Sequence, residues 1–320
     1  MEVTRHSMAY QGANRTFVRA RSAPQAHGDE ALLVVLHWLG GTGQAMLQTA
    51  LALNLTTRVT YVAPDGLSLS WNGGECCGAA MDAGVDDVGF VSALVAALLA
   101  EDAAPSRVLL LGNSNGAYLA SRVALSPRPW ALERVALVAG CTADEAAFAS
   151  ARAPVAVLQV HSARDAMVRF GGCCAEHPCC CSVRDSPRCV AMPALLDRWA
   201  RLNGCQSGAF ALEQRGPYAC SVAEGCAAAR TEMCVHPSAL HSLWGQSDAP
   251  TLAVVRAFLD AASTVPSSSP PPRRPTMSEG RSVAAATVLL AACVLLSVAL
   301  LRRAMRAGAI AYAPLDTTTT

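Results

Sequence analysis

The stretch Leu109-Leu110-Leu111-Gly112-Asn113-Ser114-Asn115-Gly116 decides the fold of this 320-residue chain. An apolar run at residues 108–111 predicts a buried strand, and the helix-compatible residues 117–124 follow directly. Between them stands G-x-S-x-G, the pattern of a sharp strand-to-helix turn that presents a serine hydroxyl. Such a turn brings backbones so close that a Cβ in place of either glycine would collide. Ser114 is therefore the candidate nucleophile, and an ordinary Gly/Asn/Ser turn is the alternative.

The composition excludes several classes of function. The formal net charge is +1, so no basic field is present to attract a nucleic acid. All 25 positively charged residues are arginines, which excludes a P-loop lysine and a lysine Schiff base. Fourteen cysteines are many for a reducing compartment and indicate an oxidising one.

Short apolar runs and helix-compatible segments alternate along the chain. We predict a first, polar-edged strand at residues 10–20. Buried strands are predicted at residues 31–36, 60–63, 108–111, 135–139 and 155–160, and helices at 88–100, 117–124, 193–202 and 251–261. This alternation predicts an α/β fold with a doubly wound, mainly parallel sheet.

Candidate partners for Ser114 occur at the ends of later strands. Asp165 follows the strand at 155–160, where an α/β-hydrolase keeps the acidic member of its Ser, Asp, His triad. The histidines after it are His177, His236 and His241; we rank His241 first and His236 second as general base. A solvated aspartate and a plain loop histidine are the alternatives.

Two backbone N–H groups are candidates for an oxyanion hole. Asn115 follows the nucleophile at the start of the predicted helix, where backbone N–H groups are free. Leu39 lies in the glycine-rich loop at residues 37–43, which in an α/β-hydrolase supplies the second donor. A plain turn is the alternative for this loop.

Taken together, these motifs resemble the polyhydroxybutyrate depolymerase and feruloyl esterase family of secreted serine esterases. The likeness covers residues 32–244. It is carried by residues 34–37, 40–43, 64–66, 76–78, 86–90, 107–108 and 112–116, and by His161, Asp165, Trp199, 203–205 and His241. The resemblance implies an α/β-hydrolase fold and a Ser114, Asp165, His241 triad. The chain departs from the family at Trp38, where glycine is usual after the first-loop histidine, and in a cysteine-rich segment.

These residues predict a serine carboxylic-ester hydrolase that works through an acyl-enzyme intermediate, with no cofactor and no metal. Its partner would be an ester, small or polymeric. The alternative is a catalytically weak or dead hydrolase scaffold that serves as a membrane-displayed binding protein. Trp38 and the cysteine-rich segment are its only support.

The cysteine-rich segment is predicted to be an insertion at about residues 171–192. Six cysteines lie between Cys173 and Cys189, several of them adjacent in sequence. Adjacent cysteines chelate one zinc ion poorly, so we expect disulfides here rather than a metal site.

The C-terminal part of the chain predicts a membrane anchor. Residues 283–301 are uncharged and, as a helix of about 28 Å, approach the roughly 30 Å hydrocarbon core of a bilayer. We therefore expect an esterase domain at 1–262, a Pro/Ser-rich linker at 263–282, one transmembrane helix at 283–301 and a short tail at 302–320.

The orientation of this helix can be tested. Arginines crowd its C-terminal end, and the cysteine content favours an extracellular or lumenal esterase domain, which requires a leader upstream of Met1. Residues 1–22 contain no apolar run of signal-peptide length, so a tail-anchored, cytosol-facing domain is the alternative. We expect protease added to intact cells that express the natural transcript to digest the domain. Protection in intact cells, with digestion from the cytosolic side of sealed vesicles, would support the tail anchor.

Overall fold

A mixed β-sheet runs through the part of the chain that the computed structural model describes, which is residues 2–22, 27–74, 76–101, 105–142, 144–151, 153–172, 189–243 and 249–261. Its strands are β1 (Val3–Tyr10), β2 (Ala13–Arg21), β3 (His27–Leu36), β4 (Thr57–Pro64), β5 (Arg107–Asn113), β6 (Arg134–Val138), β7 (Ala156–Ser162), β8 (Phe210–Arg215), β9 (Tyr218–Ala223) and β10 (Thr231–His236). The helices are α1 (Gly43–Ala52), α2 (Ala79–Asp82), α3 (Asp87–Leu99), α4 (Asn115–Leu125), α5 (Glu145–Ser150), α6 (Met192–Leu202) and α7 (Ala249–Leu259), with a 3₁₀ turn at Leu67–Leu69.

The centre of the sheet is parallel and its two ends are antiparallel. The strand order is β1-β2-β4-β3-β5-β6-β7-β10-β9-β8, and every neighbouring pair from β4 to β10 is parallel. The expected parallel sheet is therefore confirmed for its centre. The strand expected at residues 10–20 is β2, at residues 13–21. Strand β1 was not predicted; it forms a hairpin with β2 that turns at Gln11 and Gly12, both with positive φ. The residues of β1 are mostly exposed and carry no apolar signal.

Helices cover both faces of this sheet, as the prediction of a doubly wound fold requires. Alternate residues of β3 point to opposite sides: Leu32, Val34 and Leu36 belong to one apolar cluster, and Leu33 and Val35 to the other. Residues of α3, α4 and α6 complete the first cluster, and residues of α1 and α7 complete the second. The carboxyl ends of the parallel strands are left open between the helices, and the candidate site lies there.

Disulfides join four cysteine pairs within the described residues: Cys76–Cys77, Cys141–Cys189, Cys205–Cys226 and Cys220–Cys234. The second pair ties the C-terminal end of the predicted insertion to the loop after β6. The other five cysteines of that insertion, with His177, lie at 173–188, outside the described residues.

The predicted linker, transmembrane helix and tail also lie outside the described residues, which end at residue 261. Within the described part, no helix combines the length and the apolar character needed to cross a membrane.

A buried ion pair holds the N-terminal hairpin to the helical layer. Arg15 on β2 donates from Nη2 to Oδ1 of Asp87 at 2.6 Å, and both side chains are almost wholly buried. The guanidinium also lies 3.8 Å from the centre of the Phe90 ring. The second carboxylate oxygen of Asp87 accepts from the backbone N–H of Asn72. One carboxylate therefore connects the hairpin, α3 and the loop that follows β4.

We expect Arg15→Met to lower the free energy of unfolding by about 3–5 kcal/mol, because it leaves the charge of Asp87 buried without its cation. Chemical denaturation measures this change. Arg5→Met is the matched control, because the Arg5–Asp65 pair is largely exposed on the arginine side; it should cost about 1 kcal/mol or less. Equal losses in the two variants would contradict the buried role of Arg15.

Candidate active site

Ser114 stands between the last residue of β5 and the first residue of α4, in a strained conformation with φ 53° and ψ −119°. The backbone there is as crowded as the sequence predicts. A Cβ on Gly112 would lie 2.3 Å from the carbonyl oxygen of Gly116, and one on Gly116 would lie 2.2 Å from that of Leu36. The N–H of Ser114 donates to the carbonyl of Val138 on the neighbouring β6. The turn is therefore held from both sides, and it raises the serine hydroxyl above the strand ends.

The structure brings Ser114, Asp165 and His241 into one hydrogen-bonded chain. Oγ of Ser114 lies 2.9 Å from Nε2 of His241, and Nδ1 of His241 lies 2.8 Å from Oδ2 of Asp165. The histidine side chain is 19% exposed and the aspartate side chain is fully buried. With Nδ1–H donating to the carboxylate, Nε2 is free to accept the serine proton.

The Asp165 carboxylate is ionised although it is buried. Burial alone would raise its pKa, but the hydrogen bond and charge of His241 and the backbone N–H of Val168 outweigh burial, so the pKa lies below the usual value. Oδ1 accepts from the N–H groups of Met167 and Val168 at 2.9 and 2.8 Å. These bonds leave Oδ2 facing His241 and fix the orientation of the imidazole.

The second-ranked histidine, His236, lies elsewhere. Its Nδ1 accepts from the backbone N–H groups of Ser238 and Ala239, so the ring closes a turn at the end of β10. It also packs edge-on against Tyr218. The geometry thus selects His241 from the two described candidates.

The two predicted oxyanion donors, Leu39 and Asn115, belong to segments that approach Ser114 from different strands. Asn115 is the first residue of α4, and Leu39 lies in the loop after β3. Among the described residues, the backbone N–H groups of Leu39 and Asn115 donate no hydrogen bond. Both remain available to a bound oxygen.

A cavity of about 420 Å³ opens onto the serine. It is bordered by Trp38, Leu39, Thr49, Asn113, Ser114, Met167, His241 and Ser242. No carboxylate or guanidinium is among these described residues, and Leu39 and Met167 expose apolar surface at the cavity. The cavity therefore suits an uncharged, largely apolar group.

Sequence reasoning assigned no site role to several of these residues. Thr49 was missed because α1 was not predicted, although Thr42 caps that helix by accepting from the N–H of Ala45. Met167 and Ser242 flank Asp165 and His241 in sequence, but nothing in the sequence shows that they line the cavity.

Two buried histidines support the site without touching the serine. His37 accepts at Nε2 from the N–H of Gly66, and His161 donates from Nε2 to the carbonyl of Val168, 2.7 Å away. Burial is the main reason that the pKa of each imidazole lies below its usual value of 6.5. Both rings are therefore neutral and hold the loops that carry Leu39 and Asp165.

Comparison with known proteins supports the fold. No protein-family model matches the sequence, and no curated protein sequence matches it either. The chain is similar to the crystal structure of acetyl xylan esterase from Aspergillus awamori, with a TM-score of 0.50, 11% identity, and coverage of 80% of this chain and 99% of that one. It is also similar to esterase PE8, with a TM-score of 0.48, 17% identity, and coverage of 75% and 96%. At 11% identity, the likeness to the Aspergillus awamori structure shows the fold alone, which is an α/β-hydrolase-like mixed sheet with helices on both faces.

The two neutral histidines predict a loss of stability in mild acid. Below about pH 6.5, His37 and His161 become protonated in the unfolded chain but stay neutral in the folded protein. The free energy of unfolding therefore falls as the pH drops from about 6.5 toward the folded pKa values. Each histidine contributes a slope of up to about 1.4 kcal/mol per pH unit. Asp165 acts in the same sense but only below about pH 4, because its folded pKa is lowered.

We expect His161→Gln to flatten this slope between about pH 6.5 and 5, because the amide is neutral and retains a donor for Val168. Chemical denaturation at several pH values measures it. His6→Gln, at an exposed position of β1, is the control and should show the same dependence of stability on pH as the wild type. An unchanged slope in His161→Gln would contradict the assignment of a neutral, buried His161.

Proposed function

We propose that this protein is a serine hydrolase of carboxylic esters. The observation that carries the proposal is the chain from Ser114 through His241 to buried Asp165, with separations of 2.9 and 2.8 Å, at a strained turn. A Ser–His–carboxylate chain of this kind activates a hydroxyl for attack on an acyl carbon.

The reaction follows from the geometry. Oγ of Ser114 attacks the ester carbonyl while Nε2 of His241 takes its proton, and Asp165 stabilises the imidazolium. The N–H groups of Leu39 and Asn115 donate to the oxyanion of the tetrahedral intermediate. On collapse the alcohol leaves with the proton of His241, and an acyl-serine remains. Water then attacks, losing a proton to His241, and the acid departs as Ser114 is reprotonated.

The cavity guides the choice of substrate. Its described lining includes no carboxylate and no guanidinium, so we propose a neutral ester with an apolar group next to the carbonyl carbon. The similar Aspergillus awamori structure is an acetyl xylan esterase by name, which supports ester chemistry on this fold. The finer assignment, to the polyhydroxybutyrate depolymerase and feruloyl esterase type, rests on the sequence resemblance.

The second candidate function is the inactive scaffold displayed as a binding protein. Its support in the sequence was the cysteine-rich segment and Trp38, which stands where the resembling family usually has glycine. In the structure Trp38 lines the cavity beside Leu39, and the three polar residues of the triad retain their mutual contacts. These contacts favour the enzyme.

We also propose that the hydrolase, at residues 1–262, is anchored by the helix at 283–301 and faces the extracellular or lumenal side. The disulfides among the described residues support this location, because such bonds persist in oxidising compartments. A cytosol-facing tail anchor stays the alternative.

Ser114→Ala, Asp165→Asn and His241→Ala should each lower kcat by about 10³-fold or more, because the three residues act as one unit. The measurement is p-nitrophenol release from a short-chain p-nitrophenyl ester by the full-length protein in detergent, with thermal unfolding as the check on folding. His236→Ala is the matched control and should retain most of the wild-type rate. If His236→Ala abolished turnover while His241→Ala did not, the base would be misassigned.

A further inference from the structure

We infer that the side-chain amide of Asn115 and the indole of Trp71 form one positioning unit, which sets the two oxyanion N–H groups relative to each other. The inference rests on the proposed function, because it concerns how that oxyanion hole is held. It goes beyond the backbone role of Asn115, since it concerns the buried side-chain amide.

The Asn115 amide is wholly buried and pairs with the backbone of Trp71 in both directions. Oδ1 accepts from the N–H of Trp71 at 2.7 Å, and Nδ2 donates to the carbonyl of the same residue at 3.0 Å. Only one orientation of a primary amide satisfies both bonds. Because Asn115 is the first residue of α4, the pairing fixes the start of that helix, and its free N–H, against the loop at residues 71–78.

Trp71 extends the connection to the other donor. Its fully buried indole donates from Nε1 to the carbonyl oxygen of His37 at 3.0 Å, and the rings of Trp71 and His37 lie 4.8 Å apart. His37 begins the loop that carries Leu39, two residues later. Trp71 is therefore bonded through its backbone to one oxyanion segment and through its side chain to the other.

The Cys76–Cys77 disulfide closes the same loop. The carbonyl of Cys77 lies 3.3 Å from Nδ2 of Asn115, so the amide nitrogen has a further acceptor besides the carbonyl of Trp71. A Cβ on the next residue, Gly78, would lie 2.8 Å from Cδ1 of Leu39, which shows that the loop also contacts the second donor segment. The bond between neighbouring cysteines restricts the conformations of this segment.

The arrangement matters for catalysis because an oxyanion hole works only when both donors point to the place where the charge develops. A small shift of α4 relative to the Leu39 loop weakens hydrogen bonds in the transition state and leaves ground-state binding of the ester nearly unchanged. Loss of the positioning unit therefore lowers kcat and spares KM.

Asn115→Asp is the sharpest test, because it keeps the size of the side chain and the acceptor for the Trp71 N–H. It replaces the donating Nδ2 with an oxygen that faces carbonyl oxygens. We expect kcat of the full-length enzyme with a p-nitrophenyl ester to fall by about 10-fold or more, with KM within about twofold of the wild type.

Asn203→Asp is the matched control. Asn203 is also fully buried, and its amide pairs in both directions with the backbone of Val155, at 3.1 and 2.8 Å. Val155 precedes β7 and Asp165 follows it, so this pair lies at the opposite end of that strand from Asp165. The same chemical change is made there without contact with the site. Thermal unfolding should show a loss of stability in both variants, and kcat should fall only in Asn115→Asp.

Trp71→Phe removes the indole N–H and keeps an aromatic ring, so it tests the other half of the unit. The readout is the ratio of rates for an ester and for its thionoester, in which sulfur replaces the carbonyl oxygen. A sulfur anion is larger and accepts weaker hydrogen bonds, so a well-aligned hole favours the ester. We expect this ratio to fall in Trp71→Phe and Asn115→Asp, and to stay at the wild-type value in Asn203→Asp.

The outcomes separate this inference from the proposed function. No Ser114-dependent turnover by the wild type would overturn both. An active wild type with Asn115→Asp and Trp71→Phe indistinguishable from Asn203→Asp in kcat and in the ester ratio would overturn the positioning unit alone. If Asn115→Asp were unfolded at the assay temperature, Trp71→Phe would decide by the same two measurements.

Discussion

The structure depends on one steric constraint, the direct contact of the first turn of α4 with the ends of β5 and β3. That contact exists only because positions 112 and 116 lack a Cβ, which at either place would lie within 2.3 Å of a backbone oxygen. With the backbones this close, the chain passes from strand to helix with Ser114 at a positive φ. The same geometry exposes the hydroxyl and leaves the first N–H of the helix without an intrahelical partner. The proposed nucleophile and one proposed oxyanion donor are thus two results of one close contact.

Buried groups around this turn differ in charge: two histidines are neutral and one aspartate is ionised. His37 and His161 lie under the loops that carry Leu39 and Asp165, and burial keeps both imidazoles neutral by lowering their pKa. The negative charge of Asp165 is retained because His241 and backbone N–H groups compensate it. A second buried network, through Arg15 and Asp87, holds the loop that contains Trp71. The edge hairpin is thereby hydrogen-bonded through Asp87 to Asn72, the chain neighbour of Trp71.

The sequence predicted those elements whose signal is local. The apolar runs of β3 to β7 and the acidic start of α3, where Asp86 accepts from the N–H of Gly89, were readable because burial and capping leave a pattern in adjacent residues. Strand β2 was predicted, but its hairpin partner β1 was not, and neither were α1, β8 and β9. No residue of the edge strands β1 and β8 is fully buried, so hydrophobic patterning is weak there.

By itself the sequence determined which polar residues follow the buried strands and in what order: Ser114 after one strand, Asp165 after another, and candidate histidines later in the chain. This much is local, because parallel strands deliver the residues at their carboxyl ends to one edge of the sheet. Only the tertiary structure decided between His236, whose ring closes its own turn, and His241, which reaches Ser114. It alone paired the amide of Asn115 with Trp71, 44 residues away in sequence. A local sequence pattern does not predict this pair, because the two residues meet only when α4 packs against the loop after β4.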